Sequence, residues 1–199
     1  MEDGLKLGLI APAAMLALAI AGCGKNDGNA NQANTGQSAE AQKEAGGETI
    51  AAGLDQNGQF FKAAKAVGLD GTLGGPGPYT VLVPNDAAFG KVEGALKDPA
   101  NPQNRAELTR ILTYHILPGT VLAEDLGKAI DNGKGKALIG TMGGETLTAT
   151  KDGGKIVLTD GAGTKATVVE ADQKRSNGVV HTIDAVLTPS AAPAAPKQQ

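Results

Sequence analysis

The chain is poor in the residue types on which covalent and redox chemistry usually depend. Its 199 residues include one cysteine, two histidines and no tryptophan, and aromatic residues make up 3%. Because Cys23 is the only cysteine, an internal disulfide is excluded. Charge is near balance, with 18 basic and 21 acidic residues. No basic cluster alternates with aromatic residues, so the sequence gives no electrostatic support for nucleic-acid binding.

Catalytic motifs are also missing. Ser38, Ser176 and Ser190 are the only serines, and Ser176 follows a Lys-Arg pair where a nucleophile elbow needs G-x-S-x-G. A G-x-G-x-x-A match begins at Gly161, but it precedes a strand pattern, whereas a dinucleotide site needs a helix N-terminus there. We therefore expect a protein that is not an enzyme and carries no cofactor.

The N-terminal segment has the pattern of a signal for export. The uncharged run Leu7–Ala21 is shorter than the roughly 20 residues of a membrane-spanning helix, but it suits a signal-peptide core. Its end, Ile20-Ala21-Gly22-Cys23, resembles a bacterial lipobox. The resemblance implies a signal peptide over residues 1–22 and a lipid anchor on Cys23. An ordinary secretory signal or an uncut short anchor is the alternative, and the acidic start, Glu2-Asp3, departs from the usual positive segment.

Low-complexity segments flank the remaining chain. Residues 23–47 contain no aliphatic side chain larger than alanine after the cysteine, which is typical of a disordered tether. A tether of this length spans on the order of 25–30 Å. Residues 190–199 form a Pro/Ala-rich tail, which leaves one domain at residues 48–189. Gly24, rather than aspartate, after the cysteine resembles the signal for outer-membrane sorting in a Gram-negative host.

Helical patterns dominate the first half of the domain, and strand patterns dominate the second half. Helices are predicted at Gln59–Val67, from Asn101-Pro102 through the stripe Leu108, Ile111 and Leu112, and at Ala123–Ile130. Buried or alternating strands are predicted at Tyr79–Val83, Ala137–Ile139, Glu145–Thr150, Lys155–Thr159 and Lys165–Glu170. Helices followed by strands favour an α+β fold with an antiparallel meander.

The segment Asn177–Pro189 predicts a hairpin turn and the last strand of the domain. Its first two residues, Asn-Gly, favour a tight type I′ hairpin turn, and a β-branched run follows until Pro189. His181 lies within this strand, where a polar ring is unusual.

Three segments, in order, resemble the signature of fasciclin (FAS1) domains. Tyr79–Val92 resembles the first box, Thr113–Gly119 resembles the central Tyr-His segment, and Asn177–Pro189 resembles the second box. The resemblance implies a wedge-shaped antiparallel β-sandwich of about seven strands, with helices packed along one side. It also implies an extracellular or envelope module that binds partners and usually catalyses nothing.

The resemblance further implies an interaction site. In some animal members, the Tyr-His pair and a Glu-Pro-Asp-Ile segment contribute to integrin adhesion. This chain has Tyr114, His115 and Asp172 at matching positions, but the segment reads Glu170-Ala171-Asp172-Gln173 and lacks the proline and isoleucine. Tyr114 lies off the apolar helix stripe, so an exposed tyrosine at an interface is one interpretation. The interpretation that we favour is a tyrosine that covers a helix end with its hydroxyl hydrogen-bonded, and Asp172 is more simply a solvated turn residue than a contact.

The two histidines allow two interpretations. A metal site would bring His115 and His181 together with Asp172 or Asp184. The structural interpretation, which we favour, has both rings half-buried and bonded to the backbone. His115 continues an apolar helix stripe, and His181 shares strand parity with Ile183.

The sequence thus predicts a lipid-anchored envelope protein whose fasciclin-like domain mediates adhesion. Its partners would be membrane lipid, through Cys23, and a surface, a matrix polysaccharide or another envelope protein. A periplasmic carrier of a small apolar ligand and an enzyme on the same scaffold are the alternatives.

Overall fold

The computed structural model describes residues 47–92 and 94–190. Cys23, the signal segment and nearly all of the predicted tether and tail lie outside the described residues. Within the described part of the chain, no helix is both long enough and apolar enough to cross a membrane.

Helices and strands follow the predicted change of pattern along the chain. The helices are α1 (Ile50–Gly53), α2 (Gln59–Val67), α3 (Asp70–Gly74), α4 (Asp86–Phe89), α5 (Arg105–Tyr114) and α6 (Ala123–Asn132), with 3-10 turns at Gly94–Leu96 and Pro102–Asn104. The strands are β1 (Tyr79–Pro84), β2 (Ile116–Pro118), β3 (Lys136–Gly140), β4 (Thr146–Asp152), β5 (Lys155–Thr159), β6 (Lys165–Arg175) and β7 (Gly178–Ile183).

Local sequence signals account for most of the helix ends. Helix α2 ends at Gly68, which adopts the left-handed conformation with φ 82°. The Asn85 side chain accepts a hydrogen bond from the N–H of Ala88 at 2.9 Å and caps α4. Asn101 likewise accepts from the N–H of Gln103, but it caps a 3-10 turn, so α5 begins only at Arg105.

The strands form one sheet in the order β2-β1-β7-β6-β5-β4-β3. The α+β class and the helix-backed β architecture are therefore confirmed. Every neighbouring pair is antiparallel except β1 and β7, which run parallel from the pair Tyr79–Gly178 to the pair Pro84–Ile183. A parallel pair needs a long crossover, and the chain between these strands, which contains helices and the remaining strands, supplies it.

The sheet curls until its two edge strands approach each other. The N–H of Met142, just after β3, donates to the carbonyl of Ile116 in β2 at 2.7 Å, which nearly closes a barrel. The barrel interior is apolar and includes Leu82, Tyr114, Leu126, Ile130, Leu147, Leu158 and Ile183. A second core lies between β1, β2, β7 and helices α1–α5, and includes Ile50, Phe60, Leu73, Val81, Leu108, Ile116 and Val180.

The hairpin that leads into β7 differs from the type I′ turn that Asn-Gly predicts. Arg175 pairs with Gly178, so the two loop residues are Ser176 and Asn177, and neither has positive φ. Tertiary contacts explain the difference. The Asn177 side chain accepts from the N–H of Ile50 at 2.7 Å and donates to the carbonyls of Leu73 and Gly75.

Candidate functional site

Tyr114 is buried, which rules out the interpretation that it is an exposed contact residue. Its side chain is 0% exposed, because the curled sheet places it inside the barrel, where its hydroxyl donates to the carbonyl of Thr146 at 3.3 Å. Burial raises the pKa of the phenol above its ordinary value of 10.0. The favoured interpretation, a tyrosine that covers a helix end, describes this residue, and Tyr114 cannot contact a partner on the folded domain's surface.

His115 is buried beside it and is 1% exposed. Its Nδ1 atom lies 2.8 Å from the carbonyl of Ile111, and its Nε2 atom accepts from the N–H of Leu187 at 3.1 Å. Since Nε2 accepts, the proton of the neutral ring belongs on Nδ1, which donates to Ile111. Burial lowers the pKa of His115 to about 4, although the Ile111 carbonyl opposes the shift.

Asp172 and His181 join the second half of the sheet to the start of α6. Asp172 lies at an irregularity of β6, with φ 58°, and its N–H donates to His181 Nδ1 at 3.1 Å. Its carboxylate accepts from the N–H of Ala123 at 2.8 Å, where a negative charge stabilises the first turn of α6. His181 Nε2 lies 2.8 Å from the carbonyl of Val121. Asp172 is therefore a half-buried helix cap and not a solvated turn residue.

Both histidines make the backbone hydrogen bonds that the structural interpretation expects, but the rings are fully buried and not half-buried. Each ring has one nitrogen donating and one accepting, so neither His115 nor His181 has a lone pair available for a metal. Among residues 47–92 and 94–190, no group of three metal-ligating side chains is close enough to hold an ion. Of the three candidate contact residues, Tyr114 and His115 are buried, and the half-buried Asp172 uses its carboxylate to cap α6.

A different surface stands open on the outside of the barrel. Side chains alternate along β3–β6, and α6 packs on their inner face through Leu126 and Ile130. We call the opposite side the threonine face. Its members are the outward residues of four adjacent strands: Lys136, Leu138, Thr146, Thr148, Thr150, Asp152, Lys155, Val157, Thr159, Lys165 and Thr167.

The strand register arranges these residues in rows. One row runs Lys136, Thr150, Val157, Thr167, and the next runs Leu138, Thr148, Thr159, Lys165. Leu138 is 73% exposed, and the three lysines are exposed as well. The outer sides of β1 and β7 differ, because the helices before β2 cover them through Val81 and Val180. The helices therefore cover the outer sides of β1 and β7, whereas β3–β6 present hydroxyls and ammonium groups, together with the exposed Leu138 and with Val157, which is 9% exposed.

Sequence reasoning missed this face although its signal was present. The segment Thr146–Thr150 alternates threonine with Leu147 and Ala149, which is the period-2 pattern of a strand with one buried side. The pattern shows that the threonines share a face. Only the packing of α6 on the other side shows that this face is the open one.

A depression lies beside α2 and α4. It is lined by residues that include Leu54, Phe61, Pro84 and Asp86, and its volume is about 200 Å³. Small-molecule pockets are usually about 300–1,000 Å³, so this depression is small for a drug-sized ligand.

These features define a class: a helix-backed, nearly closed β-barrel domain with buried structural histidines and one uncovered sheet face. The family model described as "Fasciclin domain" matches residues 55–189. The chain therefore belongs to the fasciclin domain family.

Relatives from bacteria and animals share this domain. The protein sll1483 of Synechocystis is 35% identical over 141 residues, which are 70% of this chain and 71% of that protein. Transforming growth factor-beta-induced protein ig-h3 of Sus scrofa is 30% identical over 135 residues, 65% of this chain but 17% of that protein. Immunogenic protein MPB70 of Mycobacterium bovis is 33% identical over 116 residues, 58% of this chain and 52% of that protein.

A solved structure has the same fold. It is a FAS1 domain pair from the insect cell adhesion molecule Fasciclin I, with a TM-score of 0.60 at 21% identity. The match covers 70% of this chain and 50% of that one, so the likeness concerns one fold unit.

Proposed function

We propose that this protein is an envelope lipoprotein whose fasciclin domain mediates adhesion by non-covalent recognition of a protein or polysaccharide. The observation that carries the proposal is the threonine face, a sheet surface of four strands that no helix of the described residues covers. The family supports the same role, because one structural neighbour comes from a cell adhesion molecule. The proposed recognition site is therefore this face, and it does not include the earlier candidates Tyr114, His115 and Asp172.

The alternatives have less support in the described residues. A carrier of small apolar ligands usually needs a volume larger than the 200 Å³ or so of the depression beside α2. An enzyme needs a nucleophile or an acid–base pair, yet the two histidines already bind backbone groups through both ring nitrogens.

The anchor is the second part of the proposal. Residues 1–22 act as the signal peptide, Cys23 carries the lipid, and residues 23–47 tether the domain to the membrane, with residues 190–199 as a tail. The acyl chains hold the protein at the cell envelope, at the outer membrane in a Gram-negative host. Many copies on one membrane then convert weak contacts into avidity.

A pull-down with a matched pair of variants tests recognition by this face. The full chain, solubilised in detergent, is immobilised and exposed to envelope extract. Thr148→Tyr places a bulky neutral side chain at the centre of the face, and Ala106→Tyr places the same side chain on the exposed surface of α5. We expect the wild type and Ala106→Tyr to recover the same macromolecule, and Thr148→Tyr to lose it. Recovery of only a low-molecular-weight compound, or its turnover, would refute the proposal.

A further inference from the structure

The threonine face has a charge opposite to that of the whole chain. Lys136, Lys155 and Lys165 stand on three of its four strands, and Lys134 precedes the first of them. Asp152 is the one carboxylate among the members of the face and lies opposite Lys155 in the strand register, and Asp184 follows β7 beside Thr167. The face thus has more lysines than carboxylates, while the complete chain has a net charge of −3.

Two lysines of the face, Lys136 and Lys165, lie opposite threonines in the strand register, whereas Lys155 lies opposite Asp152. In the part of the chain that the structure describes, neither Lys136 nor Lys155 nor Lys165 forms an ion pair. Lys151, which points to the other side of β4, instead reaches Asp131 of α6 at 2.6 Å. This contrast follows strand parity, because the inward lysine meets a helix and the outward lysines meet solvent.

The spacing of the lysines indicates an extended ligand. Neighbouring strands lie about 4.8 Å apart and alternate residues about 6.7 Å apart, which separates the three lysine positions by roughly 12–16 Å. Threonine hydroxyls and the side chain of Val157 occupy the area between them. Each hydroxyl can accept a hydrogen bond, and each can also donate one, except that of Thr150, which already donates to the carbonyl of Val157 at 3.4 Å. A single small anion cannot reach all three ammonium groups, whereas a chain with repeated negative charges can.

The chemistry of the face also selects among polyanions. Its members include no aromatic side chain on which a base could stack. Single-stranded nucleic acids are bound largely by such stacking, so they fit this face less well. Hydroxyl groups between cations suit a ligand that has both hydroxyls and carboxylates. We propose that the threonine face binds an acidic polysaccharide, with Lys136, Lys155 and Lys165 pairing with its carboxylates and the threonines with its hydroxyls.

This inference rests on the proposed recognition role and names its partner class. The test is binding of the full chain, in neutral detergent, to immobilised alginate, a polyuronate, with dextran as the uncharged reference. Exposed ion pairs are individually weak, so we expect the triple variant Lys136→Gln/Lys155→Gln/Lys165→Gln to lose roughly tenfold in affinity. Raising the salt concentration should weaken wild-type binding more than that of the triple variant.

A matched control separates the face from overall charge. The variant Lys62→Gln/Lys65→Gln/Lys91→Gln removes the same three charges from exposed positions on the helical side, and we expect it to bind alginate like the wild type. Thr148→Val, which removes one hydroxyl without changing shape, should weaken binding without changing the melting temperature.

Several outcomes would overturn the inference. The first is that both triple variants lose the same affinity for alginate. The second is that the wild type binds dextran as tightly as alginate. The third is that it binds a duplex DNA oligonucleotide or phosphatidylglycerol vesicles as tightly as alginate. If alginate fails to bind while the pull-down still depends on Thr148, the polysaccharide inference fails and the recognition role stands. If neither assay depends on the face, both proposals fail.

Discussion

The ring of His115 accepts a hydrogen bond from the backbone of Leu187, 72 residues further along the chain, at 3.1 Å. The same ring donates to Ile111 within its own helix. One neutral imidazole thereby fastens the last segment of the domain to α5. Protonation of Nε2 would place two donors face to face, so this contact requires the uncharged ring.

Stability is therefore expected to fall on acidification. The unfolded chain takes up a proton at His115 below about pH 6.5, whereas the folded protein resists until about pH 4. The free energy of unfolding is unaffected by this group above pH 6.5 and decreases as pH falls from 6.5 to 4, by on the order of 3 kcal/mol. Urea unfolding at several pH values measures this decrease.

A single variant isolates the contribution of His115 from that of the carboxylates. His115→Gln keeps an amide that can donate to Ile111 and accept from Leu187, but it cannot take up the proton. We expect a less stable protein at pH 7 with a flatter pH dependence between 6.5 and 4. An unchanged slope would show that other groups control acid sensitivity.

Tyr114→Phe tests the structural role of the hydroxyl. The variant loses the hydrogen bond to the carbonyl of Thr146, which should lower the free energy of unfolding by about 1 kcal/mol. Binding in the pull-down should be unchanged, because the side chain is inside the barrel. Loss of partner recovery with unchanged stability would instead support a contact site.

Three variants of Asp172 distinguish the loss of a helix cap from the cost of its backbone conformation. Asp172→Ala loses the acceptor for the N–H of Ala123 and keeps an unfavourable φ of 58°, so we expect a loss of about 1–2 kcal/mol. Asp172→Gly also loses the acceptor but relieves the strain, and should be intermediate. Asp172→Asn keeps both features and should be close to wild type in urea unfolding. If Asp172→Asn were as unstable as Asp172→Ala, the stabilisation would come from the negative charge of Asp172 and not from its hydrogen bond.

Gly178→Ala should be strongly destabilising. Gly178 has φ 153°, and an added Cβ would collide with the backbone carbonyl of Tyr79 on the parallel neighbour β1. We expect a loss of roughly 2–4 kcal/mol, since backbone cannot move aside as a flexible side chain can. Gly140→Ala is the matched control, because its Cβ would meet open space at the end of β3. Similar thermal stabilities of the two variants would contradict this account.

Lipid attachment is tested on Cys23 directly. We expect labelled palmitate to be incorporated in a bacterial host and Cys23→Ala to abolish the label. Persistent labelling of the alanine variant would show that another residue is modified, or that the segment resembling a lipobox is not one.

The sequence by itself determined the local structure and much of the class. The periodicity of Gln59–Val67 and the β-branched run Lys155–Thr159 gave the same bounds as the structure, because each segment buries one face whatever its neighbours do. The three matching segments also sufficed for the family.

Only the tertiary structure decided which side of each element is covered. Tyr114 lies off the apolar stripe of α5, yet the curled sheet encloses it, and a periodic pattern carries no information about such closure. The parallel pairing of β1 with β7 and the turn at Ser176-Asn177 likewise depend on partners distant in the sequence. The same holds for the threonine face, since alternation sorts residues into two sides and packing determines which side meets water.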